Sequence, residues 1–346
     1  MTVLASGSRG NATVISAGAT SVLVDAGLSC REILKRMACA GEDPAALDAI
    51  LITHEHLDHV AGLSVLARKL RIPVFFTEAT HRAWVRMLTP QRTMTYAAWL
   101  DQLQREREAK AAQATAPLRA PAHTVLAQPR SSVETLAAST SAVAEASEGT
   151  TADPDPDTAD CADPTPSSTP KLRQSPTALP AVEFFSAGRS FRIGCLEIDP
   201  FTIPHDAADP CGFVFHAPSE CIRMAVATDL GYIPPNVKHA LKNADVLLIE
   251  SNHDLEMLKD GPYPWSLKQR VLSRVGHLSN AAAAEFLLRD YDGGAHTIVL
   301  GHLSEQNNLP ELARLAAEQA IGDRMTLLGN RVLLAGQDAP LDPICL

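Results

Sequence analysis

Short apolar runs recur along the chain, and six of them close on an acid or a histidine. They are SVLVDAG on Asp25, AILITHEH on His54 and His56, LEIDPFTIPHDA on His205, RMAVATDLG on Asp229, VLLIESNHD on His253 and TIVLGHLS on His302. Runs of this length, rich in Val, Ile and Leu, read as buried strands. Between them SCREILKRM, AAAAEFLLRDY and PELARLAAEQAI carry apolar residues at helical spacing. Alternating strands and helices predict an α/β architecture, and polar residues at strand exits predict a single rim that collects the chemistry.

The pattern lapses in the middle of the chain. Between Pro117 and Pro180 lie ten of the 24 prolines, and from Leu100 to Glu183 there is no Phe, Trp or Tyr. Such a stretch cannot bury enough apolar surface to offset the entropy of ordering it. The chain therefore divides into residues 1–97, a low-complexity, disordered insertion over 98–179, and residues 180–346, with the two flanking parts forming one domain. The insertion reads as a linker without chemistry of its own.

Composition narrows the class. With 346 residues, 46% of them hydrophobic, the chain can bury a substantial core. It has no apolar run of membrane-spanning length, and MTVLASGSRGN lacks the charged and apolar segments of a signal peptide, so a cytoplasmic protein without a membrane partner is the default. Seven scattered cysteines without a C-x-x-C argue against a disulfide framework and a zinc ribbon. A net charge of −10 weighs mildly against a polyanion-binding surface, although bound cations would reverse the local potential.

THEHLDHV, residues 53–60, is where the chemistry concentrates, with His54, His56, Asp58 and His59 crowded between a strand and an apolar-periodic helix. Two histidines two positions apart after a strand point to one side, while Asp58 and His59 open the helix and address a second point nearby. Imidazole and carboxylate together suit Zn²⁺ or Mn²⁺. The strand exits nominate His205 to complete a first ion, His302 to complete a second, and Asp229 to bridge them. Two ions about 3.5–4 Å apart would hold a hydroxide and clamp an ester through its transition state. Asp25 is expected behind a ligand histidine, as the acceptor that orients it.

In this order, Asp25, then His54 to His59, then His205, Asp229 and His302, the chain resembles the metallo-β-lactamase fold, an α/β four-layer αβ/βα sandwich. SGSRGN, THEHLDHVAGLSVLARK, PHDAADPCGF, ATDLGY, ESNHD, GPYPWSLKQR, VGHLSN and GHLSEQNN narrow the likeness to the YycJ (WalJ) family of bacterial proteins with that fold, over residues 1–90 and 181–320. That resemblance implies a double-stranded DNA 5′-to-3′ exonuclease with two divalent ions, in which Asp58 belongs to the catalytic centre. The proline-rich insertion departs from the family.

Further candidates come from the residues themselves. His277, just before a helix capped by Ser279 or Asn280, is not needed as a ligand and can protonate a leaving oxygen, in an arrangement similar to tRNA 3′ processing nucleases of this fold. A structural bond at a helix start is the alternative. His253 exceeds what two ions need and is read as a residue behind the ligands. GPYPWSLKQRVLSR sets Trp265 beside Lys268 and Arg270, a combination that can stack on a base and contact phosphates, or pack a loop ahead of a solvated helix. SGSRGN reads as a tight turn more readily than as an anion nest. Competing functions are a small-molecule hydrolase (lactonase, thioesterase or cyclic phosphodiesterase), an RNA-processing nuclease, and a regulatory protein that keeps metal for structure alone.

Overall fold

The computed structural model describes residues 1–89, 95–97, 99–101, 103–105, 175–322 and 331–346. The expected disorder of 98–179 therefore lies almost wholly outside the described residues. One compact unit takes in Met1–Pro90 and Gln174–Leu346. The two sides of the predicted insertion thus build one body.

Thirteen strands among the described residues form two sheets. The first sheet runs in chain order through β1 (Thr2–Ala5), β2 (Ala12–Ala17), β3 (Thr20–Val24), β4 (Leu47–Leu51), β5 (Val74–Thr77) and β6 (Val182–Phe185). β1 to β3 are antiparallel neighbours and β3 to β6 are parallel. The second sheet runs in reverse, from β13 (Arg331–Leu334) through β12 (Thr297–Gly301), β11 (Val246–Glu250), β10 (Ile222–Ala227), β9 (Cys211–Ala217) and β8 (Leu196–Thr202) to β7 (Phe191–Ile193). Here β10 to β13 are parallel and β7 to β10 antiparallel. Each sheet is thus antiparallel on one side and parallel on the other.

Three cores fill three interfaces. Val3, Ile15, Val24 and Leu51 of the first sheet meet Phe213, Phe215, Val226 and Leu248 of the second. Outside the first sheet, Leu23, Ile50 and Phe76 pack on Ile33 and Met37 of α1 (Cys30–Cys39), Leu63 and Leu66 of α3 (Leu63–Leu70) and Trp84 of α4 (Glu78–Leu88). Outside the second, Leu247, Ile249 and Ile298 pack on Val237 of α5 (Pro235–Ala240), Phe286 and Leu287 of α8 (Asn280–Arg289) and Ala313 and Ala317 of α9 (Pro310–Ile321). This is the αβ/βα four-layer sandwich. Between α1 and α3 lies the single turn α2 (Leu57–Val60), and α6 (Leu255–Asp260) and α7 (Trp265–Val271) precede α8. No helix among the described residues is long and apolar enough to cross a membrane.

Local sequence sets the helix starts. Ser29 accepts from the Glu32 amide at 3.2 Å, an S-x-x-E start to α1, and Ser279 accepts from the Ala282 amide at 3.2 Å to start α8. The second cap fixes the chain immediately after His277. Parallel strands present their carboxyl ends on one rim, and β3, β4, β10, β11 and β12 all deliver their exits there.

Candidate metal centre

Three strand exits turn the same way. Asp25 follows β3, Asp229 follows β10 and His302 follows β12, and their φ angles are +62°, +61° and +54°. The left-handed region is unfavourable for side chains larger than glycine, so the packed sheets must hold these residues in it. At each exit the left-handed residue ends the strand's extended run, and its side chain stands in the buried cluster on the rim.

His54, His56 and His205 bring three ring nitrogens within 4.8 Å of one another, and Asp58, His59 and His302 form a second such group; Asp229 joins His54 and His59. The His56 Nδ1 and His205 Nε2 atoms are 3.2 Å apart. His59 Nε2 is 3.4 Å from both Asp58 Oδ2 and Asp229 Oδ2, and His302 Nε2 is 3.5 Å from Asp58 Oδ2 and from Asp229 Oδ1. Donor atoms around a tetrahedral ion with bonds of about 2.0–2.1 Å stand about 3.3 Å apart. The observed spacings are those of atoms sharing an ion, and are long for charge-assisted hydrogen bonds.

Unpartnered buried atoms point to the same reading. His54 Nε2, His302 Nε2 and Asp229 Oδ2 are buried without a hydrogen-bond partner, a costly condition that a cation would relieve. The ring tautomers agree. His205 Nδ1 donates to the Gly276 carbonyl at 3.2 Å, His59 Nδ1 to Asp25 Oδ2 at 2.8 Å and His302 Nδ1 to Glu250 Oε1 at 2.9 Å. Each therefore turns Nε2 inward as a lone pair.

The electrostatics of the cluster favour added positive charge. Burial, with the neighbouring rings of His59, His56 and His205, holds His54 well below its ordinary value. Burial also opposes charge on His59 and His302. Yet the carboxylates of Asp58, Asp25 and Asp229 around the first, and of Asp229, Asp58 and Glu250 around the second, hold both rings well above theirs. Burial would raise Asp58 and Asp229, but these two rings hold them down. The carboxylates draw positive charge to the spot, from protons where no ion is supplied. The chain binds divalent metal.

Two carboxylates back the site. Asp25 is buried behind His59, the kind of place expected for it, and also accepts from the Thr53 amide at 2.9 Å and the Thr53 hydroxyl. Glu250, fully buried at the end of β11, was not foreseen. Its Oε1 accepts from His302 Nδ1 at 2.9 Å and His277 Nδ1 at 2.8 Å, and its Oε2 from the amides of Leu230 at 2.6 Å and Leu278 at 3.1 Å. The strand-exit pattern contained it, because Glu250 is the first acid after VLLI. Asn11 was missed too: its Nδ2 lies 3.0 Å from His59 Nε2 and 3.2 Å from Asp58 Oδ2, while Gly10 closes a turn onto Gly7.

His253 sits elsewhere. It is buried, its Nδ1 is 3.3 Å from Asn252 Oδ1, and Asn252 donates to the His302 carbonyl at 2.8 Å. Among the described residues it belongs to none of the ligand groups, but the charges of Glu250 and His277 reach it, and Asn252 links it to the His302 carbonyl.

A cleft of about 370 Å³ opens on the rim, lined by Asp58, Asp229, His277, His302 and Arg270. With Nδ1 on Glu250, His277 stands beside both ion groups, its ring 5.2 Å from that of His205 and 5.1 Å from that of His302. Burial works against its charge, but Glu250 raises it above an ordinary histidine. Of the three residues singled out in GPYPWSLKQR, Arg270 lines the cleft, together with Leu267 and Val271 on the same helical face. Trp265 and Lys268 lie on the other face of α7. Trp265 is exposed, and the Lys268 ammonium donates to the Lys259 carbonyl at 2.7 Å.

Comparisons with known proteins agree with this geometry. Residues 5–109 match the metallo-beta-lactamase superfamily model and residues 158–303 a beta-lactamase superfamily domain model. The chain is 30% identical over 313 residues to the exodeoxyribonuclease WalJ of Streptococcus pneumoniae, covering 90% of this chain and 84% of that one. It is 30% identical over 322 residues to the exodeoxyribonuclease YycJ of Bacillus anthracis, covering 93% and 89%. Among solved structures, the metallo-beta-lactamase fold protein YhfI from Bacillus subtilis superposes with a TM-score of 0.54 over 98% of both chains at 13% identity, a likeness of fold alone. By its sheets, its rim of histidines and carboxylates, and these relatives, the chain belongs to the metallo-beta-lactamase superfamily and, within it, to the family of WalJ and YycJ.

Proposed function

We propose that the chain, a metal-dependent hydrolase of ester bonds that acts on nucleic acid, is a dinuclear exonuclease of double-stranded DNA working from 5′ to 3′. The observation that carries the chemistry is the Glu250 carboxylate, which holds His302 on the ion side and His277 on the cleft side with one oxygen. The DNA substrate is taken from the names of the relatives.

His54, His56, His205 and Asp229 would hold one ion, and Asp58, His59, His302 and Asp229 the other. Asp25, Asp58, Asp229 and Glu250 bring a formal −4 to the site, which two divalent ions balance. Zn²⁺ and Mn²⁺ both suit the donors. Bound, the ions supply Lewis-acid polarisation of a phosphoryl oxygen and acidify water. Asp58 orients the attacking water from the cleft floor. His277 keeps a proton on its outer nitrogen, since Glu250 takes the other and favours the charged ring, and passes it to the leaving oxygen. Glu250 stays ionised throughout, because His277 and His302 hold it well below its ordinary value against the effect of burial.

The test combines elemental analysis with nucleotide release from end-labelled duplex DNA, loaded with Mn²⁺ or Zn²⁺, beside lactone, thioester, cyclic-phosphate and RNA substrates. About two ions per chain and processive release from the 5′ ends are expected. One ion or fewer after reconstitution would sink the dinuclear centre. Fast turnover of a small ester with no nucleotide released would sink the nuclease.

A further inference from the structure

One wall of the cleft has the wrong chemistry for a phosphate. Leu57, 63% exposed, and Met87, 45% exposed, line it together with Leu267, in the same cleft as Asp58, Arg270 and His277. Leu57 has little choice of place. It is the first residue of α2, between His56 and Asp58, so its side chain stands beside the candidate ligands of both ions. Met87 arrives from the last turn of α4. Apolar side chains exposed inside a concave cleft with convergent polar groups offer a surface that the apolar part of a ligand can cover.

Resting on the nuclease reading, we infer that Leu57 and Met87 receive the base of the terminal nucleotide after it has left its stack, and that this capture restricts cleavage to strand ends. The polar side of the cleft suits the phosphate, and an uncharged, flat group suits the apolar side. At about 370 Å³ the cavity is at the small end of the range for ligand sites, which begins at about 300 Å³, with room for a single nucleotide. Magnitudes then choose the position along the strand. Pulling a base out of a duplex costs a few kcal/mol, whereas covering the exposed parts of Leu57 and Met87, together about one side chain, recovers about 1.5–3 kcal/mol. Capture offsets unpairing where the pair already frays, at an end, and falls short in the interior. The end preference follows from the wall without any separate device to block the duplex.

A substrate cycle tests this. Metal-loaded wild type, Leu57→Ala/Met87→Ala and Met87→Ala are compared on duplexes whose terminal nucleotide either carries its base or is abasic, reading KM and kcat for release of that nucleotide. Metal content is measured for each protein, and the Met87 variant guards against an effect of Leu57 on its neighbours. On the base-bearing duplex the double variant should raise KM by about 10-fold to 150-fold, the equivalent of that apolar burial. The single variant should move the same way by less, and on the abasic duplex all three proteins should agree. Equal losses on both duplexes would assign the residues to the shape of the centre and overturn the inference. No loss on either would show that something other than a base covers the wall. If the metal-replete wild type released no nucleotide from the base-bearing duplex, the nuclease reading itself would fall, and the inference with it.

Discussion

The two halves of the rim solve one problem in different ways. On the first sheet the ligand candidates are contiguous, His54 to His59, and a buried carboxylate behind them, Asp25, serves a single ring, His59. On the second sheet they are scattered over about a hundred residues, at His205, Asp229 and His302, and the buried carboxylate, Glu250, serves two rings. Asp25 orients a ligand and braces Thr53 beside it. Glu250 ties a ligand to the residue proposed to move the proton, so the position of His277 and the position of the ion side share one anchor. As proposed, the first half holds metal and, through Asp58, orients the water, whereas the second holds metal and anchors the proton donor to it.

Replacing the two anchors should break that symmetry most clearly. Glu250→Gln puts an amide against two ring N–H groups and two backbone amides, leaving donors facing donors in a fully buried place. Both functions should suffer. Metal affinity should fall by about 10-fold to 100-fold, and kcat, measured with metal restored to saturation, by about 10²-fold or more. The sign of the pH effect is fixed. Glu250 raises His277, so its loss lowers the pH at which His277 gives up its proton, and the alkaline limb of the kcat profile should move to lower pH. A variant with normal kcat once saturated with metal would reduce Glu250 to a second Asp25.

His277→Ala should separate the two duties of that anchor. His302 keeps its bond to Glu250, so metal content and DNA affinity should stay near wild type while kcat drops by about 10² to 10⁴. Loss of metal in this variant, seen by elemental analysis, would move His277 into the ligand set. Asp25→Asn should be milder. Its asparagine can still accept from His59 Nδ1, and the expected outcome is a 10-fold to 100-fold weaker affinity for one of the two ions, with kcat recovered when metal is added. An Asp25 variant that stayed inactive at saturating metal would erase the contrast between the halves.

The same contrast explains what could be read from sequence. A cluster packed into THEHLDH declares itself, because spacing along one strand exit is spacing in space. The strand exits also carried Asp25, Asp229 and His302, and the alternation of strands and helices carried the α/β class, while the sandwich followed from the family resemblance alone. Glu250 was hidden by its own neighbour: in VLLIESNHD the eye goes to His253, whereas the buried acid that ends β11 is the residue within reach of the rim. That His277 turns Nδ1 toward it depends on α8 starting at Ser279, a tertiary fact with no local signature. Asn11 looked like turn chemistry, and the turn is present, but only the fold brings that turn against His59. In GPYPWSLKQR the charged and aromatic types were legible and the helical face was not.

That helical face gives the smallest effect and a clean contrast. Arg270 lines the cleft and pairs with Asp206, Nε to Oδ2, at 2.6 Å, while Lys268 points to the Lys259 carbonyl on the opposite side of α7. The pair is partly exposed, with 44% of the arginine and 27% of the aspartate side chain open to solvent, so breaking it should change stability little. Its placement matters more than its strength. Asp206 follows His205 directly and holds the guanidinium beside the first ion group, where a phosphate next to the scissile one can take both oxygens to it. Arg270→Ala should therefore weaken DNA binding modestly and lower the slope of log affinity against log salt by about one unit. Lys268→Ala, with the same loss of charge but the wrong face, should leave the slope where it was. Binding isotherms across a salt series decide it: equal slopes for the two variants would mean that charge on this segment acts at long range, and that the face of α7 turned to the cleft has no special part in holding DNA.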